Sequence, residues 1–212
     1  MAAMPMFPLG LVLFPSMPLD LRIFEERYLK LLGDLMTSDK PEFGVVHNGR
    51  GDDQRGSEDL LMVGTIASVT DIGTTEEFYG LESIGTQRFV VNAWLPDDPY
   101  PLADVDFLPE LTWDEGLEGL KDELEQSVRK LLAFASEFAD LQYGPDIDIS
   151  DDPIEACWQL AGVLPVGYLD QMDMLKSKSA EELLIQTRQI TLGAEQGLLE
   201  LIRQQSESDS ES

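Results

Sequence analysis

The sequence predicts an α+β protein in which short strands come first and helices follow. Three observations carry this. Apolar residues alternate with a period of two through most of residues 1–110, proline and glycine punctuate those segments, and from about residue 111 the apolar period becomes that of amphipathic helices. At 212 residues the chain is long enough for one large domain or two compact units, each with a core. We divide it into a β unit with one helix over residues 1–110, a helical unit over 111–205 and a disordered acidic tail over 206–212.

The first thirty residues set the pattern. Phe7, Leu9, Leu11 and Leu13 fall on one face of an extended segment, and Pro5, Pro8, Pro15 and Pro18 confine it to short edge-type strands. Leu19, Leu21 and Ile23 repeat the alternation. From Glu25 the spacing is helical, with Tyr28, Leu31, Leu32 and Leu35 on one side and Glu26, Arg27, Lys30 and Asp34 on the other. The run Ser-Asp-Lys-Pro at 38–41 stops that helix, and residues 43–47 read as a short buried strand. Residues 48–59 contain no apolar side chain and read as a solvated loop, which accounts for Arg50-Gly51-Asp52 without any adhesion role.

A long strand follows at 60–72, with Val63, Thr65, Ala67 and Val69 on one face and Met62, Gly64, Ile66 and Ser68 on the other. Both faces are partly apolar, which suits a closed or nearly closed barrel, with Gly64 allowing a bend or a close backbone approach. A turn at 73–77, strands at 78–83 and 87–94, the prolines at 96, 99 and 101 and a last strand at 103–108 complete the β unit.

Beyond residue 111, Thr112 with Glu115 reads as a capping box opening a helix. Its stripe is Leu117, Leu120, Leu124, Val128, Leu131, Ala135 and Phe138, and Gly144-Pro145 ends it. A second helix starts behind Asp152 with Pro153 at its first position and Ile154, Cys157, Trp158 and Ala161 inside. A short helix spans 166–175. Ser179 and Glu182 cap the last one, which carries Leu183, Thr187, Ile190, Ala194, Leu198 and Leu201. Four helices with short connections read as a bundle.

Charge restricts the function. With 14 basic against 41 acidic residues, the net charge of −27 repels nucleic-acid phosphates and anionic lipid, so neither nucleic acid nor membrane is an expected partner. The single cysteine, Cys157, cannot form an internal disulfide, and no apolar run reaches membrane-spanning length. The N-terminal segment has no Lys or Arg before Arg22 and is broken by prolines, unlike a signal peptide. A soluble, cytoplasmic protein is expected, with its oligomeric state open.

The order of residues FPLGLVLFPSMPLDLRIFEERYLKLL at 7–32, FGVV at 43–46, VGTIASV at 63–69, IGTQRFVV at 84–91 and WLPDDPYPLADV at 94–105 resembles the Lon N-terminal (substrate-binding) domain family. The resemblance extends to about residue 110 and more loosely through the helices. It implies a PUA-like small β-barrel followed by a C-terminal four-helix bundle. It further implies a non-catalytic module that binds unfolded or flexible polypeptides or a protein partner, as an adaptor or holdase. The alternative is a small-molecule-binding protein or enzyme using the barrel mouth as a pocket. Full-length Lon proteases couple a nucleotide-driven motor to a peptidase, whereas this sequence contains no GxxxxGK[ST] phosphate loop, so we expect a stand-alone member without ATPase or peptidase activity. Glu26 stands where the family usually has proline, and Glu-Glu-Phe-Tyr-Gly at 76–80 occupies a hairpin that is often more polar.

Candidate chemistry is sparse. His47 and Cys157 sit in opposite halves of the chain, and Cys157 lies on an apolar stripe beside Trp158, where a small buried hydrophobe is the default. The acidic run at 146–152 lacks a calcium loop's glycine and closing glutamate, so helix entry explains it better. No cofactor or metal is expected. For polypeptide binding, the aromatics that the core pattern does not claim are Phe78, Tyr79, Tyr100 and Trp113, each of which could instead cover a barrel mouth. Arg22, Glu25, Arg27 and Tyr28 match the family's RIFEERY stretch. For these we expect a structural ion pair tying the helix start to the strand.

Overall fold

The computed structural model describes residues 3–48, 63–74 and 78–210, without the side chains of 205–210. It falls into two compact units, Met1–Glu110 and Leu111–Ser212, taken separately below. The loop with Arg50-Gly51-Asp52, the strand start at 60–62 and the turn at 75–77 lie outside the described residues.

The first unit holds six strands, β1 (Met4–Leu9), β2 (Pro18–Ile23), β3 (Glu42–His47), β4 (Val63–Thr74), β5 (Tyr79–Leu95) and β6 (Leu102–Phe107), with α1 (Glu26–Thr37) between β2 and β3. The sheet is mixed. Its strand order is β2-β5-β4-β3-β1-β6, and a further β5–β6 pairing closes it into a ring. β1 and β3 are the parallel pair, which requires the long connection through β2 and α1; the other pairings are antiparallel.

Met6, Val46, Ile66, Phe89, Val91 and Ala103 form one apolar cluster within this ring. Gly64 makes room for it, since a Cβ there would strike both the Val45 carbonyl and the tip of the Phe89 ring. The outer side of β1 is covered as well. Phe7 stacks on Tyr28 of α1 with ring centroids 3.9 Å apart, and Leu31, Leu32 and Leu35 follow along the buried side of the helix. The expected single apolar face over Phe7, Leu9, Leu11 and Leu13 is therefore corrected. Met6 and Phe7 point to opposite sides and both are buried, because the ring claims one face of β1 and α1 the other, while Leu11 is exposed.

The two strands expected at 78–83 and 87–94 are one, β5, which runs unbroken through Gly85. What reads as a turn signal is a close approach. A Cβ at Gly85 would collide with the Phe14 carbonyl, and Gly85 exchanges backbone bonds with the 14–17 turn, donating to Met17 O (2.9 Å) and accepting from Ser16 N (2.8 Å).

The second unit contains α2 (Glu118–Ala135), α3 (Pro153–Gly162), α4 (Tyr168–Leu175) and α5 (Ala180–Ser210). α2 does not open on a Thr112 capping box. Asp114 accepts from Gly116 N (2.8 Å) and caps a single 3₁₀ turn, Glu115–Leu117, which leads into the helix. α2 also stops at Ala135, well before Gly144, with the Ser136 hydroxyl donating back to the Ala133 carbonyl (2.8 Å). Asp152 caps α3 as expected, accepting from Ile154 N (2.9 Å) and Glu155 N (3.0 Å). α5 packs along α2, with Lys130 Nζ 2.6 Å from Glu195 Oε1, and it continues to Ser210, past the Ser206 boundary expected for a tail. No glycine or proline interrupts residues 198–210, so helical backbone can propagate through that polar stretch.

Candidate functional site

β2 is the last strand of the sheet's order. It pairs with the first half of β5 and, among the described residues, with no other strand. Antiparallel pairing alternates bonded and non-bonded positions, and the bond from Gly85 N to Met17 O sets that alternation just before the Pro18↔Ile84 pair. Leu19, Leu21 and Ile23 therefore turn their backbone groups toward β5, while Asp20 and Arg22 turn theirs away from it.

The solvent face of β2, β5 and β4 is ordered in cross-strand rows. Asp20 stands opposite Glu82, which stands opposite Asp71; in the next row come Arg22, Gly80 and Gly73. The three carboxylates are exposed and have no hydrogen bond or cation partner among the described residues. Like charges placed opposite one another cost stability. Past the final pair, Ile23↔Tyr79, lie two aromatics: Phe24, 71% exposed and just beyond the end of β2, and Phe78, over whose ring the Arg22 guanidinium sits at 5.1 Å. Phe78 is half-buried, and Tyr79 beside it is exposed.

The remaining candidates separate from this group. Tyr100 is covered, only 7% exposed, and its hydroxyl donates to Asp34 Oδ2 (2.7 Å), holding the segment before β6 to α1. Burial, then that bond to Asp34, pushes its phenol up to about 12. Trp113 is half-buried in the second unit. In the RIFEERY stretch the ion pair runs between Arg27 and Glu25 (3.2 Å), both half-exposed at the start of α1, and Arg27 lies over the Tyr28 ring at 4.8 Å. The Glu25 side chain thus turns to Arg27 and makes no cap for the helix. The Phe7–Tyr28 stack ties the start of α1 to β1, while Arg22 lies over Phe78.

Sequence reasoning passed over several exposed aromatics, among them Phe24 and Trp94. Phe24 follows β2 out of phase with Leu19, Leu21 and Ile23, and its exposure is a signal that strict alternation contained. Trp94, 43% exposed, helps line a concavity of about 360 Å³ with Pro8, Arg27, Tyr28, Val46, Asn48 and Pro101. Among the described residues the charged one lining it is Arg27, already paired with Glu25.

Among the described residues the groups that hydrolytic chemistry could use do not come together. Cys157 is fully buried, and its thiol is pushed up to about 12, first of all by desolvation, the reverse of an activated nucleophile. His47 is buried in the first unit, and burial holds its imidazole below the ordinary range. The acidic stretch before α3 is held by protein groups: Arg129 Nη1 donates to the carbonyls of Pro145 (2.7 Å) and Ile147 (3.0 Å), and Asp152 is the helix cap. Among the described residues no three His, Cys, Asp or Glu side chains gather as metal ligands, and no helix is long and apolar enough to cross a membrane.

Residues 3–191 match the family described as the ATP-dependent protease La (LON) substrate-binding domain. Similar proteins include Lon protease 2 of Sorangium cellulosum (strain So ce56), 30% identical over 134 residues, covering 61% of this chain and 17% of that protein. Lon protease of Brevibacillus choshinensis is 25% identical over 193 residues, 85% of this chain and 24% of that protein. The chain thus spans less than a quarter of the length of each of these relatives. Among solved structures, the Lon N-terminal domain protein from Xanthomonas campestris aligns with a TM-score of 0.61 at 22% identity, covering 86% of this chain and 95% of that one. The N-terminal domain of Mycobacterium avium complex Lon protease aligns with a TM-score of 0.64 at 14% identity, covering 90% and 98%. These two likenesses are of fold.

Proposed function

The chain belongs to the Lon substrate-binding domain family, and from that premise we propose that it is a non-catalytic module that binds unfolded or flexible polypeptides, serving as an adaptor or holdase. On this reading the sheet ring is a PUA-like barrel and the helices a bundle. It works in the cytoplasm without cofactor, nucleic acid or ATP hydrolysis.

One observation carries the reading: the aromatic end of the β2–β5 pair, where Phe24, just past β2, stands in water and Arg22 lies over the Phe78 ring. Burying an aromatic side chain is worth about 1.5–3 kcal/mol, so a ring left this exposed offers that gain to a partner. A solvated Arg-aromatic stack adds a flat surface that accepts varied side chains. A small-molecule pocket would need convergent polar groups, whereas the concavity beside Trp94 offers a guanidinium already committed to Glu25.

The test uses reduced and alkylated lysozyme, a permanently unfolded, basic polypeptide, in a fluorescence-anisotropy titration. Wild type should bind it, and the Phe24→Ser/Phe78→Ser double variant should bind about tenfold or more weakly. Absence of binding by wild type, or equal binding by the double variant, contradicts the reading.

A further inference from the structure

We infer that the free edge of β2 accepts an extended, basic polypeptide segment as an added strand. In that segment a Lys or Arg faces Asp20 and Glu82, and an apolar or aromatic residue four positions away faces Phe24. This deepens the polypeptide-binding reading and rests on it.

The edge supplies the backbone. Asp20 and Arg22 point their N–H and C=O groups away from β5, and among the described residues no strand takes them up. A strand laid against them would alternate its side chains, so every second residue shares the solvent face with Asp20 and Arg22. Phe24, exposed just past the end of β2, is four residues from Asp20, about 13 Å of extended chain. One segment can therefore engage both.

The acidic row selects the occupant. Asp20, Glu82 and Asp71 repel one another across three strands with no described cation between them, and a Lys or Arg on an added strand relieves that repulsion. A neutral strand gains nothing there and an acidic one is rejected. The same charges disfavour a second copy of this chain, because pairing β2 with β2 brings acidic rows together in a molecule of net charge −27. Charged edge residues ordinarily keep sheets from pairing at all; here they admit one sign of partner.

The experiment uses a fluorescein-labelled peptide of about ten residues with valine at alternate positions and, on the other face, lysine, serine and phenylalanine two positions apart, to meet Asp20, Arg22 and Phe24 in turn. Beside it are its glutamate counterpart and two lysine peptides N-methylated on alternate amides, one set on odd positions and one on even. An added strand turns one set of amides toward β2 and the other toward solvent. The lysine peptide should bind and the glutamate peptide should not. One methylated peptide should lose binding while the other keeps it. Asp20→Lys/Glu82→Lys, both at exposed positions and checked for an unchanged melting curve, should lower affinity for the lysine peptide about tenfold or more. If wild type captures unfolded lysozyme but the two methylated peptides bind alike, or charge reversal has no effect, the edge inference falls while polypeptide binding stands. A concentration-dependent dimer that Asp20→Lys/Glu82→Lys abolishes also overturns it. If unfolded lysozyme is not captured at all, both readings fall.

Discussion

The sheet unit and the helical unit solve the same problem of backbone hydrogen bonding with different consequences for the surface. Helices of the second unit satisfy their interior amides internally, and buried hydroxyls of α5 turn back onto it, as Thr187 does to Leu183 O and Thr191 to Thr187 O, both at 2.7 Å. Its outer surface can be charged without leaving any backbone row open. A sheet has to end somewhere. The ring closes through β5 and β6, and among the described residues β2 is an edge left outside it, where Arg22 and the acidic row lie. The difference teaches where to look for binding in this molecule: at the strand that ring closure leaves over.

Variants can break or sharpen that contrast, the largest effects falling where each unit is most tightly packed. Phe89→Ala empties the centre of the ring cluster and should cost about 3–5 kcal/mol in urea unfolding, with Leu131→Ala in the helical unit costing about 2–5. A loss under about 1 kcal/mol at Phe89 would mean that the ring interior is not the core described. Asp152→Ala removes both cap bonds of α3 and should cost about 1 kcal/mol, read by the same titration together with far-ultraviolet circular dichroism.

Tyr100→Phe tests the tie between α1 and the segment before β6, and should cost about 0.5–1.5 kcal/mol near neutral pH. It also has a pH signature. The phenol is raised in the folded protein from 10.0 to about 12, so the folded state holds that proton more tightly than the unfolded state. Its contribution is complete below about pH 10 and is lost as pH rises toward about 12. Wild type should therefore lose more melting temperature than Tyr100→Phe between pH 9 and pH 11, and equal losses would remove this assignment. The smallest stability effect belongs to the proposed site. Phe24→Ser should shift stability by no more than about 0.5 kcal/mol, because its ring is already in water.

Parts of the sheet unit and of the helical unit were legible for different reasons. The buried face of α1 and the Asp152 cap follow from local spacing and local hydrogen bonding, and the structure has both where the sequence puts them. β1 misleads because a period of two is visible only when one face meets water, and here Met6 and Phe7 are claimed from opposite sides. Gly85 misleads because a glycine needed for a close backbone approach looks the same in sequence as one needed for a turn. At the site, Phe78 and Tyr79 stood out as aromatics beside a turn, whereas Phe24 sits between an alternating strand and a charged helix start and was read as part of neither. Tyr100 reads as exposed between prolines until its long-range partner Asp34 is known.

Amide hydrogen exchange with and without unfolded lysozyme tests the contrast between the units most directly. Bound polypeptide should slow exchange at residues 18–24 and 78–84, strongest at Asp20 and Arg22, whose amides face away from β5, and leave 118–135 and 153–162 unchanged. Protection confined to those helices, with the β2 edge exchanging as fast as in the free protein, would contradict the account.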